Sequence, residues 1–396
     1  MARRMPTRVA MLLFAGLALA GCSPATLAPA PASGDACSGT TPYRGPARHA
    51  PVAPDWRQIG LPLDGALDRR AAARLDLAFD AARTANGAVA LTAAVGVPGK
   101  GIWVRTAGAK RPLFYWASAG KQATAAVVLQ LVEEGKMRLS DPVGRWIEGL
   151  PNGDLITVEH LLNHTSGLFS ANEDERVRGR NRWLPLAEES ALLRRRGAQF
   201  CPGAAWRYSN SGYALLGHII EKVDGRDLAQ SIRVRLLGPA GAPDIEALSP
   251  GASVARINPA APATAGEAID LTMPWAAGPI AATAADMARL QQALLDGRLL
   301  RPDTRARALS DLYPMFDAGM YYGLGTIVYD VERPGGNLFW IGHSGGTPGI
   351  RAITAYSPAD NAFVAVALTG NGSAEATAAL LLDALSNRRG GKAQTD

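Results

Sequence analysis

Cysteine is nearly missing from this chain of 396 residues: there are three, at positions 22, 37 and 201. Metal and multiple bridges are not what holds it together, and neither is needed. A body of more than about 300 residues buries most of its surface on folding. Lysine is scarce at six residues and histidine at five, so a motif built on either stands out. After the first twenty residues no apolar run is long enough to cross a bilayer. Positive charge is also smaller than it looks. Arg3, Arg4 and Arg8 carry three of the formal +6 and sit in a leader, which leaves +3 for the rest. With no basic stripe interleaved with aromatics, nucleic acid drops out as a partner.

What is present begins with that leader. An apolar run from Val9 to Leu19 follows the arginines and reads as a signal peptide over 1–21, too short to span. Leu19-Ala-Gly-Cys22 resembles a bacterial lipobox, which implies cleavage before Cys22 and a lipid on Cys22 that anchors the chain to the cell envelope. Ser23, rather than Asp, suits outer-membrane sorting in a Gram-negative cell. Residues 22–63 open Ala- and Pro-rich without apolar periodicity and read as an extended tether.

Three short motifs then follow in order: Ser118-Ala-Gly-Lys121, Tyr208-Ser-Asn210 and His343-Ser-Gly-Gly346. If a helix begins at Ser118, Lys121 lies one turn on, over the same face. A desolvated lysine can take the proton that makes a serine hydroxyl nucleophilic. Tyr208 precedes an apolar helix, and a Lys121 ammonium beside it would make its phenolate accessible. Asn210 can hold Lys121 and a substrate amide at once. The apolar strand before His343 would bring Ser344, Gly345 and Gly346 to the site, bare glycine backbone allowing close approach. Either Lys121 or Tyr208 could take the first proton. Gly342-His-Ser-Gly-Gly346 also fits the G-x-S-x-G nucleophile elbow, but no histidine follows Ser344, so that reading fails.

These motifs, with Leu131-Val-Glu-Glu-Gly-Lys-Met-Arg-Leu-Ser-Asp-Pro142, Leu161-Leu-Asn-His-Thr-Ser-Gly-Leu168 and Gly342 to Gly349, resemble the class C-type branch of the serine β-lactamase and penicillin-binding superfamily. The likeness runs from about Leu67 to Leu385. It implies Ser118 as acyl-accepting nucleophile, Lys121 and Tyr208 as the proton-handling pair, and Asn210 as substrate positioner. His343, Ser344, Gly345 and Gly346 would line the substrate strand, with Gly346 N–H as the second oxyanion donor beside Ser118 N–H. No metal or cofactor is implied. Substrates would be small or peptidoglycan-derived acyl compounds, esters or D-amino-acid amides; the alternatives are a true β-lactamase and a non-catalytic sensor or scaffold. His343 stands where most β-lactamases of the superfamily carry lysine, which weakens the lactamase reading. Glu159-His-Leu-Leu-Asn163 resembles the E-x-x-L-N loop of class A enzymes but precedes Tyr208, so Glu159 is assigned to a helix start.

The implied fold is α+β: an antiparallel sheet flanked by terminal helices, with a mostly helical domain inserted. Residues 64–143 and 283–388 would form the sheet domain, 144–282 the helical domain and 389–396 a disordered tail. Cys37 and Cys201 either bridge, pinning the tether near the site, or stay free. Arg176, Arg178, Arg180, Arg182 and Arg194 to Arg196 either steer anionic substrates or form solvated surface offset by neighbouring Asp and Glu. Oligomeric state is open.

Overall fold

The computed structural model describes residues 37–39, 41–54, 56–178, 182–261, 270–333 and 336–387. The leader, Cys22, Arg180 and the 389–396 tail lie outside them.

Four stretches rich in Ala, Val, Ile and Leu form the long strands β1 (Ala90–Val97), β9 (Leu338–Thr347), β10 (Ile350–Ser357) and β11 (Ala362–Thr369). With β2 (Gly101–Ala107), β6 (Tyr313–Pro314), β7 (Met320–Tyr322) and β8 (Ile327–Val331) they make one eight-stranded sheet. Its order is β2-β1-β11-β10-β9-β8-β7-β6, every neighbouring pair antiparallel. An antiparallel sheet usually wets one face and alternates in polarity. Here β11 is buried along its whole length because both faces are covered. Val364, Val366 and Leu368 meet the terminal helices Arg69–Asn86 and Ala374–Leu385, whereas Phe363, Ala365 and Ala367 join the core that includes helix Ala284–Asp296.

The middle of the chain supplies helices Lys121–Glu133, Val158–Leu162, Leu186–Arg196 and Asn210–Asp224. It is not wholly helical. A second sheet of order β3-β5-β4 joins β3 (Phe114–Tyr115), β4 (Ile245–Ala247) and β5 (Ile280–Ala282). β3 enters the Ser118 turn and β5 leaves the Ala277 turn, so this small sheet ties the two ends of the insertion together. Glu159 sits in the first turn of a helix capped by Thr157, as its sequence context suggested, and pairs with Arg307.

One expectation needs correction. The tether reading fails over 41–63, because Val52, Ile59 and Leu63 are buried apolar anchors that hold this stretch against the body. His49 N and Val52 N donate to the Leu312 and Leu309 carbonyls at 3.0 Å each, and Gln292 Nε2 donates to Ile59 O at 2.8 Å. β9 runs on through Gly345 and Gly346 to Thr347. The turn is made by Pro348 and Gly349 alone; Gly349 takes φ +75°, as the third position of a type II turn requires.

Cys37 and Cys201 form a disulfide across a separation of 164 residues, which fastens the start of the described chain seven residues before Tyr208. Peptide mapping without reductant should recover Cys37 and Cys201 in one linked species. Reduction should lower stability by about 2–4 kcal/mol in a denaturant titration. Two free thiols would contradict the bridge.

Candidate active site

The chain enters the site from β3, with Trp116 N donating to Ile280 O at 3.1 Å. At Ala117 the backbone takes φ 46°, a left-handed conformation uncommon for a residue with a Cβ. Ala117–Gly120 forms a three-ten turn, and helix Lys121–Glu133 continues from it, almost wholly buried. The strained residue thus sits one position before Ser118 and places it at the head of a helix, where backbone N–H groups are left over for other acceptors.

Lys121 is fully buried at 0 % exposure. Its Nζ lies 3.1 Å from Ser118 Oγ and 2.7 Å from both Asn210 Oδ1 and the Ala277 carbonyl. Burial alone pushes its pKa well below the usual lysine value. The neutral amine so favoured has two hydrogens and one lone pair. Carbonyl oxygens only accept, so the two short contacts take the hydrogens. In that form the lone pair is left for the one partner that can donate, the Ser118 hydroxyl; an ammonium would instead donate to all three oxygens.

Tyr208 closes the other side of Ser118, its phenol hydrogen-bonded to the serine hydroxyl. Lys121 Nζ lies 4.9 Å from the Tyr208 ring centre. The expectation of an accessible phenolate does not hold. Burial pushes the phenol pKa up, and only the Ser118 hydrogen bond opposes this.

Behind Tyr208 stands His164, their ring centres 4.2 Å apart. Ser209 N donates to His164 Nδ1 at 3.2 Å, and Ser209 caps helix Asn210–Asp224 through Gly212 N. Asn210 Nδ2 donates to Asn172 Oδ1 at 2.9 Å, which leaves one amide hydrogen for a ligand. Asn172 was missed by the motifs: it lies just past the Leu161–Leu168 segment, and nothing local marks it. The Ala277 carbonyl was missed as well, since a backbone acceptor has no sequence signature.

The third motif divides between two faces of β9. His343 is 1 % exposed, its Nδ1–H directed to the Ser344 carbonyl at 2.5 Å. Nε2 then accepts the Tyr322 hydroxyl at 3.0 Å. Burial first, with Lys121 adding to it, pushes its pKa down to about 3. His343 was expected to contact substrate. Instead its ring lies beneath the site, because Tyr322 and the strand's own backbone satisfy both nitrogens. Ser344 faces the opposite side by the alternation of a strand and hydrogen-bonds Glu375 there, so its hydroxyl points away from the cleft. Gly345 is where β9 meets the Ser118 turn. A Cβ there would lie 2.3 Å from Trp116 O and 2.9 Å from Ser118 N, so only glycine fits. Gly346, next along, is exposed.

Two members of the arginine run are paired with carboxylates. Arg182 meets Glu188 at 2.6 Å and Arg196 meets Asp174 at 2.7 Å. Among the described residues no group of His, Cys, Asp or Glu could hold a metal ion, and no helix is long and apolar enough to cross a membrane.

Comparison with known proteins places the chain in a family. Penicillin-binding protein 4* of Bacillus subtilis (strain 168) is 29% identical over 268 residues, 61% of this chain and 58% of that protein. Esterase EstB of Burkholderia gladioli is 34% identical over 201 residues, 44% and 50% of the two chains. The chain thus spans little more than half the length of these relatives. The solved structure of a D-stereospecific amidohydrolase from Streptomyces sp. superposes with a TM-score of 0.66 at 26% identity, over 79% of this chain and 97% of that one. The beta-lactamase family profile matches residues 69–387, and the chain belongs to that family.

Proposed function

We propose that the protein is a serine hydrolase that cleaves esters or D-amino-acid amides through an acyl-enzyme on Ser118. The observation that carries this is the buried Lys121 Nζ, 3.1 Å from Ser118 Oγ, whose pKa burial pushes well below the ordinary lysine value, toward the form that can take the serine proton. Ser118 Oγ bonds to the substrate carbonyl carbon as its proton passes to Lys121 Nζ. The oxyanion is met by Ser118 N–H and Gly346 N–H. A two-residue connection makes Thr347 and Ile350 the closing pair of the hairpin. Alternation then turns Gly346 N–H away from β10, to the edge that β8 leaves free beyond Gly342. The proton returns through the Tyr208 phenol to the leaving oxygen or nitrogen as its bond to carbon breaks. Water repeats the sequence in reverse and frees Ser118.

Esters and amides rank above β-lactams for a physical reason. The third motif carries a neutral, buried His343 and so offers no fixed charge to a β-lactam carboxylate. The esterase and the D-stereospecific amidohydrolase among the relatives support the same choice. Envelope anchoring through a lipid on Cys22 belongs to the proposal too. It is supported by the Arg-led apolar leader and by the Cys37–Cys201 disulfide, a bond that persists in oxidising compartments.

Ser118→Ala should abolish turnover of an ester substrate, and Tyr208→Phe should slow acylation by about a hundredfold or more in stopped-flow traces. A Ser118→Ala enzyme of normal activity would refute the mechanism.

The pH profile tests the proton carriers. Lys121 acts as base only when neutral, so kcat/KM should fall as pH drops through its depressed pKa and hold at higher pH. A raised Tyr208 pKa keeps the phenol protonated, so the plateau should last to about pH 10. With His343 at about 3, the acid limb should not shift in His343→Gln. Activity that climbs continuously toward alkaline pH would make the Tyr208 phenolate the base instead.

For anchoring, globomycin-free expression of Cys22→Ala should move the protein from the membrane to the soluble fraction; an unchanged distribution would exclude the lipid.

A further inference from the structure

Phe316 is the one aromatic among the large hydrophobic side chains left exposed in the described residues, at 56 %. It sits on the short loop between β6 and β7. Its ring is not adrift: it meets Trp206 edge-on at 5.3 Å between centres and Tyr208 at 5.9 Å. Trp206 and Tyr208 lie 6.4 Å apart, and Tyr322 underlies both at 6.2 and 6.1 Å. A continuous wall of rings therefore starts at the phenol bonded to Ser118 and ends in solvent at Phe316. An exposed phenyl ring forgoes the stabilisation that burial would bring, and packing among these rings does not require the open face.

Chemistry decides which half of a substrate meets this wall. On the acyl-enzyme reading, which this inference rests on, the leaving atom receives its proton from the Tyr208 hydroxyl. The leaving atom therefore lies at that hydroxyl, while the acyl part stays on Ser118. A substituent on the leaving atom runs outward past the Tyr208 ring, toward Trp206 and Phe316. We infer that Trp206 and Phe316 form a leaving-group subsite that takes an aromatic ring, as in a benzyl ester or an arylalkyl amide. Such a ring would stack on Phe316 and cover its open face.

Ethyl and benzyl esters of one acyl group separate this subsite from the rest of the reaction. Both release primary alcohols of similar acidity, and both give the same acyl-enzyme, so a difference in kcat/KM reports the ring alone. Wild type should favour the benzyl ester by about tenfold. Phe316→Ala should remove most of that ratio and Phe316→Trp should keep it. The ratio is read within each protein, so a change in absolute activity does not disturb it. A wild type that cleaves both esters equally well, or a preference that survives in Phe316→Ala, overturns the subsite and leaves the proposed function standing. The pair is made on a D-amino-acid acyl group and read also as the ethyl- and benzylamides; a wild type that cleaves none of the four overturns both.

Discussion

A lysine amine with no surface exposure is the constraint on which the rest of this structure depends. Leaving an ammonium uncompensated at such a position costs several kcal/mol; burial pushes Lys121 toward its neutral form, and three oxygens stand ready to accept its hydrogens. Those acceptors come from remote parts of the chain: Asn210 is 89 residues further on and the Ala277 carbonyl 156. The inserted helical region is therefore placed by the needs of one side chain on the first turn of its central helix. Neighbouring groups feel the same desolvation. It raises Tyr208 and lowers His164 and His343, each change favouring the uncharged form. Desolvation thus disfavours charge on every one of these side chains, while backbone donors stand where an oxyanion would develop.

The two parts of the molecule meet along a buried polar line. Tyr213 donates its hydroxyl to Leu162 O at 2.9 Å, Tyr213 and Tyr322 hydroxyls lie 3.3 Å apart, and Tyr322 donates to His343. This chain runs from the helical region through β7 to β9, the strand that presents Gly345 and Gly346. A buried hydrogen-bonded line of this kind fixes relative position as well as adding stability. Closeness of fit is set on the other side by Gly345, where any Cβ would strike the Ser118 turn.

Much of the site was legible. Ser118 and Lys121 are three residues apart, and helical geometry alone puts them together. Tyr208 and Asn210 flank Ser209, a helix cap recognisable from its residue type and the apolar run that follows. The terminal helix Ala374–Leu385 and the long strands follow from periodicity and β-branched content. Less was readable where a role depends on surroundings. His343 looks like a substrate contact by motif position, yet its ring is consumed by Tyr322 and the strand backbone. Residues 41–63 look like a tether by composition, yet a few apolar side chains suffice to hold them down.

By itself, then, the sequence determined which residues share a helical turn, which segments alternate, and where Gly and Pro break them, since these properties act over a few residues. Only the tertiary structure decided the burial of Lys121 that lowers its pKa, the face on which Ser344 points, the pairing of Cys37 with Cys201, and the meeting of Asn172 with Asn210. Each of these depends on desolvation or on contact between groups brought together from separate elements. Neither exists until the chain has folded.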